Sequence, residues 1–266
     1  MTLNKIPDAD VARGERAARK VIKELGVDHP TETSIENIAC LRGVIVRDGP
    51  MRGSQGRLTR VGAKAIATVN DKITYLPQRR YVIAHELGHF EIHQSNNHLS
   101  LCDETKISEM YDTGTEKEAN AFASELLMPT ALWTKLTDVR IPSLDIVAKL
   151  ASDFQVSFTS AAIRFAKLCP ERCAVVFAQN SKVVWAALGA DFGYYVWRDG
   201  KLDSFTLASD YFKNGNVTHL PEEVPAQAWI CNSRISKEDC LIEHCRVIPS
   251  LRATISLLWI RPDESF

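Results

Sequence analysis

Apolar and polar residues follow two periods along the first third of the chain. Ala17, Val21, Ile22 and Leu25 recur at helical spacing and predict a helix over residues 9–25, stopped by Gly26. A shorter helix over 34–41 leads into the β-branched run GVIVRDG. RGSQGRLTRVG, at 52–62, carries three glycines and predicts a hairpin or loop, and AKAIATVNDKITYLP then alternates and turns at Asn70 and Asp71. These runs predict a small antiparallel sheet just ahead of residue 77.

Residues 81–93, YVIAHELGHFEIH, break both periods. Tyr81, Val82, Ile83, Ala84, Leu87, Phe90 and Ile92 make the segment apolar nearly all round, the pattern of a buried helix with His and Glu as its polar interruptions. Gly88 costs a helix roughly 1 kcal/mol relative to Ala, so a small residue there predicts that another element comes close. Gln78, Arg79 and Arg80, ahead of the run, read as a solvated basic first turn.

The polar interruptions carry chemistry. His85 and His89 stand four residues apart, which puts both imidazoles on one helix face where they can converge on zinc. Glu86 is then beside the metal rather than on it, placed to take a proton from an attacking water as a general base. This is the HExxH pattern. Two histidines leave a four-coordinate metal with an open position one protein ligand short. The next helical run, TEKEANAFASELLMP at 115–129, offers Glu116, which shares a face with Ala119, Asn120 and Ala123. Glu116 is the expected third ligand and Asn120 the expected hydrogen-bonding partner of a ligand. Glu118 points about 200 degrees away from Glu116, and its place three residues after Thr115 predicts a capping box.

Between these helices, QSNNHLSLCDETKISEMYDTG lacks a sustained period and predicts a loop beside the cleft. His93, His98 and Tyr111 are candidates there for polarising a scissile carbonyl. The segment 64–69 is the candidate edge strand, able to align an extended peptide by main-chain hydrogen bonds, with an ordinary sheet strand without substrate contact as the equal alternative.

Helical spacing returns after residue 130, and VAKLASDFQVSFTSAAIRFAKL resembles a helix-turn-helix core with FQVS as its turn. Its second helix carries only Arg164 and Lys167 as basic residues, too few for reading base edges, so a structural helix pair is expected and direct DNA binding is not. From about residue 173 β-rich runs dominate: CAVVFAQNSKVVWAALG predicts a hairpin, YYVWRDGKLDSFTL another around RDGK, and WICNSRI and LRATISLLWIRP further strands. The expected organisation is a metallopeptidase-like part at 1–130, a helix-turn-helix-like segment at 131–168 and a β-rich part at 169–266.

Composition narrows the class. The chain has 266 residues, 45% hydrophobic and 24% charged, which indicates a globular α+β protein. Its net charge of −1 offers no global attraction to nucleic acid. No apolar run approaches the roughly 20 residues that cross a bilayer, and the start of the chain is polar and helical, so a cytoplasmic protein without membrane contact is expected. Seven cysteines, an odd number, fit reduced thiols. Cys169 with Cys173, and Cys240 with His244 and Cys245, are close in sequence, but neither set is a CxxC pair. They read as small buried hydrophobes.

HELGH followed by ExxANxFAxxLLMP resembles the ImmA/IrrE family of bacterial metallopeptidases, over about residues 10–168. The resemblance implies a zincin-like fold, a metal held by the HExxH histidines and a downstream glutamate, here Glu116, and cleavage of helix-turn-helix repressors controlling stress-response or mobile-element genes. Zinc is the expected metal, and manganese also suits a His/carboxylate set. The rival expectation is a regulatory protein that sequesters a repressor or binds DNA without cutting.

Overall fold

The computed structural model describes residues 10–93, 100–103, 114–197, 200–232, 235–236 and 238–264. They fall into two compact units, Met1–Thr130 with Ser152–Ser157, and Ala131–Ala151 with Phe158–Phe266.

The first unit starts with α1 (Val11–Leu25), whose first turn is capped by the Asp10 side chain accepting from Arg13 N–H, and which ends on Gly26 in the left-handed conformation at φ 63°. Ser34 caps α2 (Ile35–Leu41) in the same way through Asn37 N–H. Three strands follow, β1 (Val44–Gly49), β2 (Ser54–Val61) and β3 (Lys64–Asn70), then the long helix α3 (Leu76–Ile92), β4 (Ser100–Asp103) and α4 (Thr115–Leu127). The sheet order is β1-β3-β2-β4. The β2–β3 hairpin is antiparallel, whereas β1 runs parallel to β3, so the sheet is mixed. Alternate residues Ala65, Ala67 and Val69 of β3 are buried, as are Val82, Ile83, Ala84 and Leu87 of α3, which packs on the sheet.

Three expectations change. Residues 64–69 are not an edge strand: β3 bonds β1 on one side and β2 on the other, which uses its main-chain groups in both directions, and the edges belong to β1 and β4. The capping box does not form. Gly114 is the residue before α4 and Thr115 is already helical, so its hydroxyl is one position too late to cap. Arg80 is buried rather than solvated, donating to the Pro30 carbonyl at 2.9 Å.

The second unit carries α5 (Thr130–Thr137), most of α6 (Leu144–Asp153) and α7 (Phe158–Leu168), then strands β5 (Cys173–Gln179) and β6 (Lys182–Leu188), α8 (Leu207–Asn214), β7 (Glu222–Pro225), β8 (Cys240–Ile248) and β9 (Ala253–Trp259). A helix pair stands where the helix-turn-helix resemblance predicts one, and Arg164 on α7 is only 5% exposed beside buried Ala161, Ala162 and Phe165. The five strands form an antiparallel sheet in the order β6-β5-β9-β8-β7. The expected hairpin between β5 and β6 turns on Asn180 and Ser181, both at positive φ, as a primed turn needs. The described residues of the run WICNSRI form no strand: they follow a short 3-10 turn, and Ile230 makes one isolated bridge to Val196. The expected RDGK hairpin is likewise replaced, among the described residues, by isolated bridges and α8.

Candidate metal centre

α3 and α4 build the centre between them. Their close approach depends on Gly88, where a β-carbon would lie 3.1 Å from Phe122 Cβ and 3.2 Å from Ala119 Cα, so the expectation of a close neighbour at Gly88 describes the α3–α4 contact. One turn before and one residue after Gly88, the 3.6-residue period brings His85 and His89 to the same face, with their Nε2 atoms 3.0 Å apart. Both rings are buried, at 6% and 5% exposure. Glu116, in the first turn of α4, faces both: Oε2 lies 3.2 Å from His85 Nε2 and Oε1 3.3 Å from His89 Nε2.

The other ring nitrogens have defined partners. His85 Nδ1 lies 2.8 Å from Asn120 Oδ1, which also accepts from Tyr81 Oη at 2.7 Å. Asn120 Oδ1 can only accept, so His85 Nδ1 carries a proton, and Nε2 is the nitrogen left on the Glu116 side, for a second proton or a cation. His89 Nδ1 lies 3.1 Å from His93 Nδ1. Thus two imidazole nitrogens and one carboxylate converge, with ligand atoms all within 4.8 Å of one another. Among the described residues this is the one such group of three His, Cys, Asp or Glu side chains, and its donor set suits a divalent cation of the zinc or manganese type. The Cys240, His244 and Cys245 set does not assemble: His244 Nδ1 accepts from Leu144 N–H, and Cys245 is fully buried.

Electrostatics follow from this crowding. Burial disfavours the charged form of His85, but its bond to Glu116 and the charges of Glu86 and Glu116 outweigh burial and raise its pKa. For His89 burial prevails, aided by the neighbouring His85 charge, and the pKa falls to about 4. Burial would raise the Glu116 carboxyl, yet the bonds from His85 and His89 hold it well below the usual carboxylate range.

Glu86 is fully buried one residue from His85 and packs against β2 at Gly56, where a β-carbon would come within 2.6 Å of Glu86 Oε1. Arg60 on β2 steadies the end of α3, donating to the carbonyls of His89 and Phe90 at 3.2 and 2.7 Å and covering the Phe90 ring.

His93 differs from its expected role as a carbonyl polariser. Its ring is engaged on both sides, by His89 and by Glu118 Oε2, which lies 3.0 Å from His93 Nε2. His98 and Tyr111 lie outside the described residues. Sequence reading missed Gly56, Arg13 and the site role of Glu118. Only the spacing of His93 four residues after His89, one further turn on the same helix face, signalled its part in advance.

Residues 51–166 match the family described as the IrrE N-terminal-like domain, Peptidase_M78. No curated protein matches the chain. Among solved structures, a Mycobacterium tuberculosis transcriptional regulator superposes with a TM-score of 0.59 at 14% identity, over 93% of this chain and 76% of that one, a likeness of fold. No described helix is long and apolar enough to cross a membrane.

Proposed function

Because residues 51–166 match the IrrE N-terminal-like domain family, we propose that this protein is a zinc-dependent endopeptidase whose metal is held by His85 Nε2, His89 Nε2 and Glu116, with manganese as the alternative ion. The observation that carries the reading is the convergence of those three side chains while both histidine Nδ1 atoms are turned to other partners. A bound divalent cation would supply Lewis acidity, polarising a carbonyl and acidifying water. Glu86 is the proton carrier: as a general base it takes the proton of the attacking water, and as the resulting acid it returns that proton to the leaving amine. Burial of Glu86 against Gly56 keeps the carboxylate in one place.

The substrate in this reading is a helix-turn-helix repressor in the cytoplasm, as the ImmA/IrrE resemblance implies. Six free cysteines among the described residues fit a reducing compartment. The second reading is a regulator acting by binding alone, favoured by the fold likeness to a transcriptional regulator. Glu86→Gln separates the two. Incubated with a helix-turn-helix repressor as substrate, the parent should cut it, and the metal-replete variant should cut at least about a hundredfold more slowly. Equal cleavage by both removes Glu86 from the mechanism, and intact repressor bound by both favours the second reading.

A further inference from the structure

The Nε2 side of His89 faces Glu116, and its Nδ1 side opens onto a second line of groups that no part of the proposed reaction uses. His89 Nδ1 lies 3.1 Å from His93 Nδ1, and His93 Nε2 lies 3.0 Å from Glu118 Oε2. Glu118 in turn accepts from Arg13 Nη1 at 3.2 Å and from the Asp10 backbone N–H at 3.3 Å. The line therefore crosses from α3 to α4 and ends on α1. The backbone sets it up: His93 closes α3, its N–H bonding the His89 carbonyl, which turns its ring back along the helix axis towards His89.

Counting protons gives the line a direction. A neutral His89 that presents its Nε2 lone pair to a cation carries its hydrogen on Nδ1. Two ring nitrogens facing each other need one hydrogen between them, so His93 Nδ1 must accept. His93 then carries its own hydrogen on Nε2, aimed at an ionised carboxylate that can only accept. Every donor in the line meets an acceptor in this state, whereas with both rings neutral the opposite His89 tautomer sets two lone pairs against each other at 3.1 Å or forces His93 to turn from Glu118.

We propose that His93 and Glu118 are a positioning pair that locks the ring plane and Nδ1–H tautomer of His89, so that its Nε2 is presented to the metal. The inference rests on the metal reading above. It makes the two histidines unequal: His85 is backed by the neutral amide of Asn120, and His89 by an imidazole that leans on a carboxylate, an arrangement that raises ligand basicity. A plain structural link between α1 and α4 would instead act through the bonds of Glu118 to Arg13 Nη1 and to the Asp10 N–H. Arg13 is half exposed in its pair with Glu118, so solvent screens it.

The test uses the full chain and Co²⁺ as the probe. Cobalt affinity is measured by chelator competition and optical spectroscopy, and proton spectra of the loaded protein in water report the shifted, exchangeable Nδ1–H signals of the two histidines. His93→Ala and Glu118→Ala should bind cobalt about 10- to 100-fold more weakly than the parent, with one of the two N–H signals lost to solvent exchange. His93→Gln and Glu118→Gln keep an acceptor oxygen at each step and should recover most of the affinity and the signal. Arg13→Met, the control for a structural link, should stay within about fivefold of the parent. Alanine variants that bind as tightly as the parent with both signals intact overturn the positioning role alone. A parent that binds no cobalt overturns the metal reading with it.

Discussion

Gly56 on β2 and Glu86 on α3 approach so closely that a β-carbon at residue 56 would lie 2.6 Å from Glu86 Oε1 and 2.6 Å from Val82 Cγ1. The proposed general base is therefore seated against a strand that has no side chain at that point. Gly56→Ala should displace the Glu86 carboxylate and cost about 1–3 kcal/mol of stability, the range of overpacking. Because the three atoms nearest a β-carbon at residue 56 belong to Glu86 and Val82, metal content should hold while cleavage falls. Denaturant unfolding, metal analysis and a cleavage assay on one preparation check this, and full activity at parental stability contradicts the seating.

Protonation of the metal-free centre should be unequal. His85, raised above 6.5 by the surrounding carboxylates against its burial, stabilises the fold fully below pH 6.5 and loses that contribution as pH climbs through its folded pKa. His89, lowered by burial to about 4, works in the other direction: the unfolded chain takes up that proton between pH 6.5 and about 4, so this contribution falls as pH drops. A metal must displace the proton on His85, and apparent affinity should thus increase as pH is raised through and above 6.5. Histidine NMR titration of the metal-free protein checks the split. Two rings titrating together near pH 6.5 would contradict it.

Glu243 in the second unit is fully buried and accepts from Leu207 N–H, Ala208 N–H, Trp229 Nε1 and Ser256 Oγ. Glu243→Ala orphans these donors at once, and with buried donors costing about 1–3 kcal/mol each, the loss should be at least about 3 kcal/mol. If the first 130 residues are a peptidase part in their own right, as the sequence organisation suggests, only one of two thermal transitions should shift, and bound metal should be unchanged. Metal loss in this variant would tie the centre to the C-terminal sheet.

Local signals were the legible ones. Ser34, Gly26 and the i, i+4 spacing of His85 and His89 act within a turn of themselves, and each feature lies where the sequence puts it. The misreadings concern partners far along the chain. Glu118 looked like a cap because Thr115 is three residues away, whereas Arg13 and His93, its actual partners, are 105 and 25 residues distant. Residues 64–69 looked like an edge because strand order depends on β1, which pairs parallel from before the hairpin. WICNSRI has strand-forming residues but the backbone turns just ahead of it at Ala226–Ala228, and β8, which includes Cys, Glu and His, carries the sheet instead.

The central claim is that His85, His89 and Glu116 hold one divalent cation beside a carboxylate that does not ligate it. Metal stoichiometry after dialysis of the parent, Glu86→Gln and Glu116→Gln proteins tests it most directly. The account predicts one equivalent of zinc or manganese in the parent and in Glu86→Gln, and a large loss in Glu116→Gln. Retention of metal by Glu116→Gln together with its loss from Glu86→Gln would contradict it.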